Sequence, residues 1–199
     1  MQYEALLQQW LGPLEDGFAD ADHRRRWFAA TEQENAELIG QYQELHLQAI
    51  AGELAKWQQT DRGTLALIIL LDQFSRTIYR GKSQAFAQDA QALKLAKEAI
   101  AKGVDLRLKA DEKLFLYLPL EHSEQLEDQA QCVALFEDLL AHTGSEYHSI
   151  SANYLQFAEQ HLDIIRQFGR FPHRNEALGR ASRQVELRYL SEDAQRFGQ

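Results

Sequence analysis

Leu65-Ala66-Leu67-Ile68-Ile69-Leu70-Leu71-Asp72-Gln73-Phe74-Ser75-Arg76-Thr77-Ile78-Tyr79-Arg80-Gly81 is the stretch that decides the fold. Seven apolar residues run unbroken, and an aspartate and two arginines then enter at four-residue spacing. At about 100° per residue, Leu67, Leu71, Phe74 and Ile78 share one helical face. Asp72, Arg76 and Arg80 share the opposite face, in line with Leu65 and Ile69. The first half is apolar all round, which predicts a helix buried on every side. Its continuation carries charge into that burial or to its edge. A buried charge costs several kcal/mol unless it is paired, so these side chains require partners, from protein or ligand.

Working outward, residues 2–11 predict a short helix ended by Gly12-Pro13, and Gly17 to Asp22 a loop. Thr31-Glu32-Gln33-Glu34 fits a capping box ahead of a long helix whose apolar positions recur from Leu38 to Trp57. Asp61-Arg62-Gly63-Thr64 reads as a turn capping the central helix, which Gly81 closes. A helix through Phe86, Leu93, Ala96 and Ile100 stops at Gly103. Asp111 is placed to cap Leu114–Leu118, which Pro119 terminates. Ser123 is the expected N-cap of a helix through Phe136 and Leu139. Another helix from about Tyr147 ends at Gly169, and a turn over 170–175 leads to a last helix containing Val185, Leu187 and Leu190. No segment alternates with period 2 over a useful length. The expectation is an all-α protein of about nine helices joined by short connections, hence antiparallel helical hairpins.

The chain has 199 residues, so one domain spanning 1–199 is expected. Its single cysteine, Cys132, excludes an internal disulfide and suits a reducing compartment. The opening Met1-Gln2-Tyr3-Glu4 has neither a basic region nor an apolar core, and the run Leu65–Leu71 is far short of the roughly 20 residues that cross a bilayer. Cytoplasmic localisation without membrane association is the expectation. A net charge of −9 argues against nucleic-acid binding, which depends on Lys and Arg neutralising phosphates. All seven lysines lie between Lys56 and Lys113, whereas His161 to Arg188 holds six arginines against Asp163, Glu176 and Glu186. Arginine suits fixed bidentate contacts to carboxylate or phosphate, so these residues serve either acids of the same chain or an anionic ligand.

Three separated motifs then carry a resemblance. Leu70-Leu71-Asp72-Gln73-Phe74-Ser75-Arg76 is followed by Phe115-Leu116-Tyr117-Leu118-Pro119-Leu120 with His122-Ser123-Glu124. Ile164-Ile165-Arg166-Gln167-Phe168-Gly169-Arg170-Phe171-Pro172-His173-Arg174-Asn175 comes last. In this order they resemble the bacterial proteins known as domain of unknown function 924. The resemblance implies a tetratricopeptide-like, right-handed all-helical array, with 31–190 as the family-like core and 1–30 as an N-terminal extension. It implies no activity. Two departures are visible: Glu121 stands where an apolar residue is expected, and Ala181-Ser182-Arg183-Gln184-Val185 replaces a Glu-Ser-Thr-type helix start.

The candidate ligand-binding residues are Asp72, Gln73, Arg76, Arg80, Arg170, Arg174 and Asn175. Asp72 and Arg76, at i,i+4 with the acid first, form either a structural pair or an arginine oriented to grip an anion. Arg170, His173, Arg174 and Asn175 occupy a Gly/Pro-shaped turn at a helix start, where free N–H groups favour an anion. Candidates for proton transfer are His122, Glu124, His161 and His173. His161 falls on an apolar helix face between Phe157 and Ile165, where a histidine is either a satisfied core residue or a base. Neither HExxH nor CxxC occurs, so no metal ligands are assigned and no cofactor is named. The leading expectation is a protein that binds or turns over a small anionic ligand in a polar Asp/Arg/His pocket. Alternatives are a tetratricopeptide-like scaffold for an acidic peptide and a metal-dependent hydrolase.

Overall fold

In the computed structural model, residues Gln2–Ser191 are described. They are mostly helical: α1 (Gln2–Leu11), α2 (Ala21–Ala29), α3 (Glu32–Ile50), α4 (Asp61–Ile69), α5 (Ser75–Ile78), α6 (Asp89–Ala101), α7 (Ala110–Glu121), α8 (Leu126–Ala141), α9 (His148–Phe168) and α10 (Gln184–Ser191). A π-helical turn, Leu70–Phe74, joins α4 and α5 into one helix, so the described residues contain nine helices. The chain is not purely helical, because β1 (Leu14–Glu15) and β2 (Phe18–Ala19) pair as an antiparallel hairpin. Two compact units can be distinguished, Met1–Ile78 with Gln84–Pro119, and Tyr79–Ser83 with Leu120–Gln199.

In the first unit, every residue from Gly63 to Phe74 is buried, as the apolar run predicts. The helix starts earlier than expected. Thr60 is its N-cap, accepting the Gly63 N–H at 3.0 Å, so Asp61–Thr64 is the first helical turn and not a preceding one. A Cβ on Gly63 would collide with the Trp57 carbonyl oxygen and lie 2.7 Å from Thr60 Oγ1. The capping box of α3 forms as predicted between Thr31 and Glu34. That helix nonetheless ends at Ile50, because Gly52 turns the chain at φ 78°. Leu54 and Trp57 therefore lie beyond α3, and Trp57 packs edge-on against Tyr3 with ring centroids 5.5 Å apart. Phe86 likewise stands in a 3₁₀ turn ahead of α6.

The expected loop after Gly17 is the hairpin, turned by Asp16 (φ 47°) and Gly17 (φ 93°). Asp111 anchors it: its carboxylate accepts the Ala19 N–H at 2.7 Å, and its own N–H donates to the Gly17 carbonyl at 2.9 Å. Asp111 thus ties the hairpin and does not cap Leu114. Trp10, Trp27, Phe74 and Phe115 form the aromatic centre of this unit, with centroid separations of 4.8–5.5 Å. The Trp27 indole N–H donates to the Trp10 carbonyl at 2.7 Å. Helix α7 passes through Pro119 to Glu121. The proline forfeits its own backbone hydrogen bond, and the helix runs on for two more residues.

In the second unit, α8 and α9 pack on each other across the short connection 142–147. Cys132, Phe136 and Leu139 of α8 are buried, as are Tyr154, Ala158, Leu162 and Ile165 of α9. Gly169 ends α9 at φ 69°, as expected. Ser123 lies two residues ahead of the N-cap, Gln125, and its hydroxyl accepts that residue's N–H at 3.2 Å. In α10 the expected pattern is reversed: Val185 and Leu187 are exposed, whereas Glu186 is completely buried.

Candidate functional site

Two assemblies of charged side chains emerge from this fold, one in each unit. In the first, the π-helical turn places Asp72 and Gln73 inside the unit, with Asp72 only 1% exposed. Arg76 Nη1 lies 2.9 Å from Asp72 Oδ1. The same guanidinium donates to both carboxylate oxygens of Asp89, at 3.0 and 3.1 Å, and to the Asp72 backbone carbonyl at 3.0 Å. Gln73 Nε2 donates to Asp72 Oδ2 at 2.5 Å. One turn away, the Ser75 hydroxyl donates to the Leu71 carbonyl and meets His46 Nε2 at 3.0 Å. Burial pushes His46 below the ordinary imidazole range. Arg76 is therefore held by two carboxylates of its own chain, and Asp89, which periodicity did not single out, is one of them. Arg80 is exposed in the turn after α5 and belongs to the second unit.

In the second unit, the connector between α7 and α8 is clamped by a buried amide. Gln129 Nε2 donates to the carbonyls of Glu121 (2.6 Å) and Ser123 (2.7 Å), and Ser123 Oγ donates to Asp128 at 2.7 Å. This fixes His122 and Glu124 on a rigid loop. Glu124 accepts the Phe171 N–H at 2.8 Å and two hydrogen bonds from Arg180, at 2.7 and 3.0 Å. Burial alone would raise its carboxyl, but the Arg180 and Phe171 bonds and the nearby Arg174 charge bring it below its usual range.

Phe171, fully buried, is the hub of this region. The His161 and His173 rings lie 5.6 and 5.4 Å from it, centroid to centroid, and the Arg174 guanidinium sits 4.5 Å above its face. His122 is 6.3 Å from His161 by the same measure. Burial first, then the positive charge of Arg174, holds His173 down to about 3. Burial also holds His161 well below its ordinary value, more than offsetting its bond to the Phe157 carbonyl, with His122, Arg174 and His173 adding to the effect. At neutral pH both imidazoles are uncharged.

Beside this hub a second clasp closes on Glu186. Its carboxylate takes two bonds from Arg170, both 2.7 Å, others from Arg183 at 2.6 and 3.0 Å, and one from Asn175 at 3.2 Å. It also accepts the Arg183 backbone N–H at 2.7 Å, so it supplies half of a capping box for α10 without a Ser or Thr partner. Arg170 above all, then Arg183, holds the Glu186 carboxyl far below the usual range.

The structure thus brings His122, Glu124, His161, His173, Arg174 and Asn175 into the second unit with Arg170, and places Asp72, Gln73 and Arg76 in the first. Glu121, Gln129 and Arg180 escaped sequence reasoning as site residues. Only Glu121 had left a signal, as an acid at an apolar position. Among the described residues no group of three or more His, Cys, Asp or Glu side chains is arranged to hold a metal ion. No described helix is long and apolar enough to cross a membrane.

Comparison with known proteins agrees with the three sequence motifs. Residues 6–194 match the family described as bacterial protein of unknown function (DUF924). The solved structure of a protein of unknown function from Agrobacterium tumefaciens is similar over 84% of this chain and 89% of that one, at 35% identity and a TM-score of 0.75. No curated protein matches. With nearly its whole length matched by that family and a similar fold in a solved structure, the chain belongs to the DUF924 bacterial proteins.

Proposed function

We propose that the cluster around Phe171 binds a small oxyanion and exchanges protons with it. The observation that carries this reading is the convergence of His161, His173 and Arg174 on one buried aromatic ring, with His122 beside His161. A guanidinium held over a ring face is a planar cation in a fixed place, which suits carboxylate or phosphate. Uncharged imidazoles beside it can accept or donate a proton, and their number exceeds what packing a turn requires. Glu124 and Arg180 hold the turn in place. Arg76 and Arg170, each bonded to both oxygens of a carboxylate, serve the fold in this reading.

The tetratricopeptide-like order of hairpins belongs to the same proposal, with α8–α9 as one such hairpin. Native mass spectrometry of protein purified without an affinity tag identifies any retained anion. Calorimetry with inorganic phosphate then measures the site directly. Arg174→Met is expected to weaken phosphate binding at least about tenfold, roughly 1.4 kcal/mol, the order of one charge-assisted hydrogen bond. Phosphate binding unchanged in a folded Arg174→Met protein overturns the reading. Retention of an acidic peptide in place of a small anion favours the scaffold alternative.

A further inference from the structure

Within the proposed site, the last turn of α7 and helix α9 meet at a carboxylate–imidazole pair. Glu121 and His161 are 5% and 4% exposed. His161 Nδ1 lies 2.8 Å from the Phe157 carbonyl oxygen and 3.4 Å from Glu121 Oε1. A carbonyl oxygen can only accept, so Nδ1 carries the hydrogen, and in the neutral ring Nε2 is the basic nitrogen. The carbonyl and the carboxylate together fix both tautomer and ring orientation, as an outer carboxylate does for a histidine that must act through its far nitrogen.

The charges around this pair come from every packed element. The end of α7 supplies Glu121, and the connector to α8 supplies His122 and Glu124. The turn after α9 supplies His173, Arg174 and Arg180. Helix α8 contributes the Cys132 thiol, hydrogen-bonded to the Glu121 backbone. Desolvation above all, with the Arg174 charge beside it, opposes a proton on His161, whereas a carboxylate 3.4 Å from Nδ1 favours one. An anion arriving beside Arg174 offsets that charge, and its own negative charge favours a proton on the ring. Resting on the anion-binding reading above, we infer that Glu121 is a positioning residue that holds His161 ready to take a proton at Nε2 when an oxyanion binds. One N–H bond forms at Nε2 as one bond to hydrogen breaks in a buffer acid, whose conjugate base stays in solution. The resulting imidazolium offsets the added negative charge.

The test uses the full chain with ¹⁵N-labelled histidines and inorganic sulfate, which neither gains nor loses a proton near neutral pH. Without sulfate, His161 is expected as the Nδ1–H tautomer with Nε2 bare. With sulfate bound, both nitrogens are protonated, and calorimetry in two buffers of different ionisation heat finds close to one proton taken up per sulfate. Glu121→Gln keeps an acceptor but removes the charge, and is expected to reduce the uptake and weaken sulfate binding roughly tenfold. The wild-type measurements stand on their own should that variant fail to fold. Sulfate binding without proton uptake, or a bare Nδ1 on His161, overturns the inference and leaves the anion site standing. Uptake unchanged in a folded Glu121→Gln protein removes Glu121 from the role. A complete failure of sulfate to bind overturns the site and the inference together.

Discussion

At the scale of single residues, this protein repeatedly uses a side chain for a neighbour's needs rather than its own. Asp111 ties down the hairpin, Gln129 clamps the connector, and Glu186 gathers Arg170, Arg183 and Asn175. The contacts that these side chains make outside their own helix do not follow from helical periodicity, because a partner on another segment leaves no local pattern. Gly63 shows the same dependence. In an open helix, replacing glycine by alanine stabilises by about 1 kcal/mol. Here the added methyl would overlap the Trp57 carbonyl and crowd the Thr60 hydroxyl, which already accepts the Gly63 N–H. Backbone cannot step aside as a flexible side chain can. Gly63→Ala is therefore expected to destabilise by about 1–3 kcal/mol, the range for forced overpacking. Urea unfolding followed by circular dichroism measures it, and a stabilised variant would show that the first turn of α4 can move.

At the scale of elements, the sequence reveals helices wherever burial and period agree. The run from Leu65 to Leu71 is buried throughout, the Thr31/Glu34 box caps α3, and Gly169 ends α9. The sequence misleads where an apolar repeat continues past a break, as Leu54 and Trp57 do beyond Gly52. It is silent where an element is too short to have a period, as in the Asp16-Gly17 hairpin, or where one residue widens a turn without interrupting an apolar run. That last case is the π-helical turn Leu70–Phe74, and it bears on Arg76. The widened turn buries Asp72, and Arg76 bridges Asp72 to Asp89 at the start of α6. Arg76→Met would leave both carboxylates without this cation. Removing one member of a buried ion pair costs about 3–5 kcal/mol, so a comparable loss is expected here. Thermal unfolding of the variant beside Asp89→Asn, whose effect should be smaller because Asp89 is partly exposed, checks that this assembly holds α5 to α6.

At the scale of the whole molecule, the buried imidazoles and the clasped carboxylates Glu124 and Glu186 act in one direction. The site motifs were visible in sequence as residue types, but burial was not, and burial sets their protonation. His46, His161 and His173 are all held below their ordinary value, chiefly by desolvation. Glu124 is lowered because the Arg180 and Phe171 bonds outweigh its burial, and Glu186 is lowered by Arg170 and Arg183. In the unfolded chain the imidazoles take protons near pH 6.5, where the folded ones do not, and the carboxylates take them near 4.5, above their folded values. For both kinds of group the unfolded state binds more protons as pH falls, so acid favours unfolding. The imidazole contribution is fully present above pH 6.5 and is lost progressively below it, for His173 down to about 3. The carboxylate contribution follows below about pH 4.5. Each fully engaged group contributes at most about 1.4 kcal/mol per pH unit, so stability should fall by a few kcal/mol between pH 7 and pH 5, before the carboxylates titrate. Urea denaturation from pH 5 to pH 8 measures the slope. Stability that is flat or rising towards pH 5 would mean that the three histidines take protons in the folded protein at least as readily as in the unfolded chain. Saturating sulfate should make this slope shallower if the Phe171 cluster takes up a proton with its anion, because the bound state then carries a proton that the free folded state lacks.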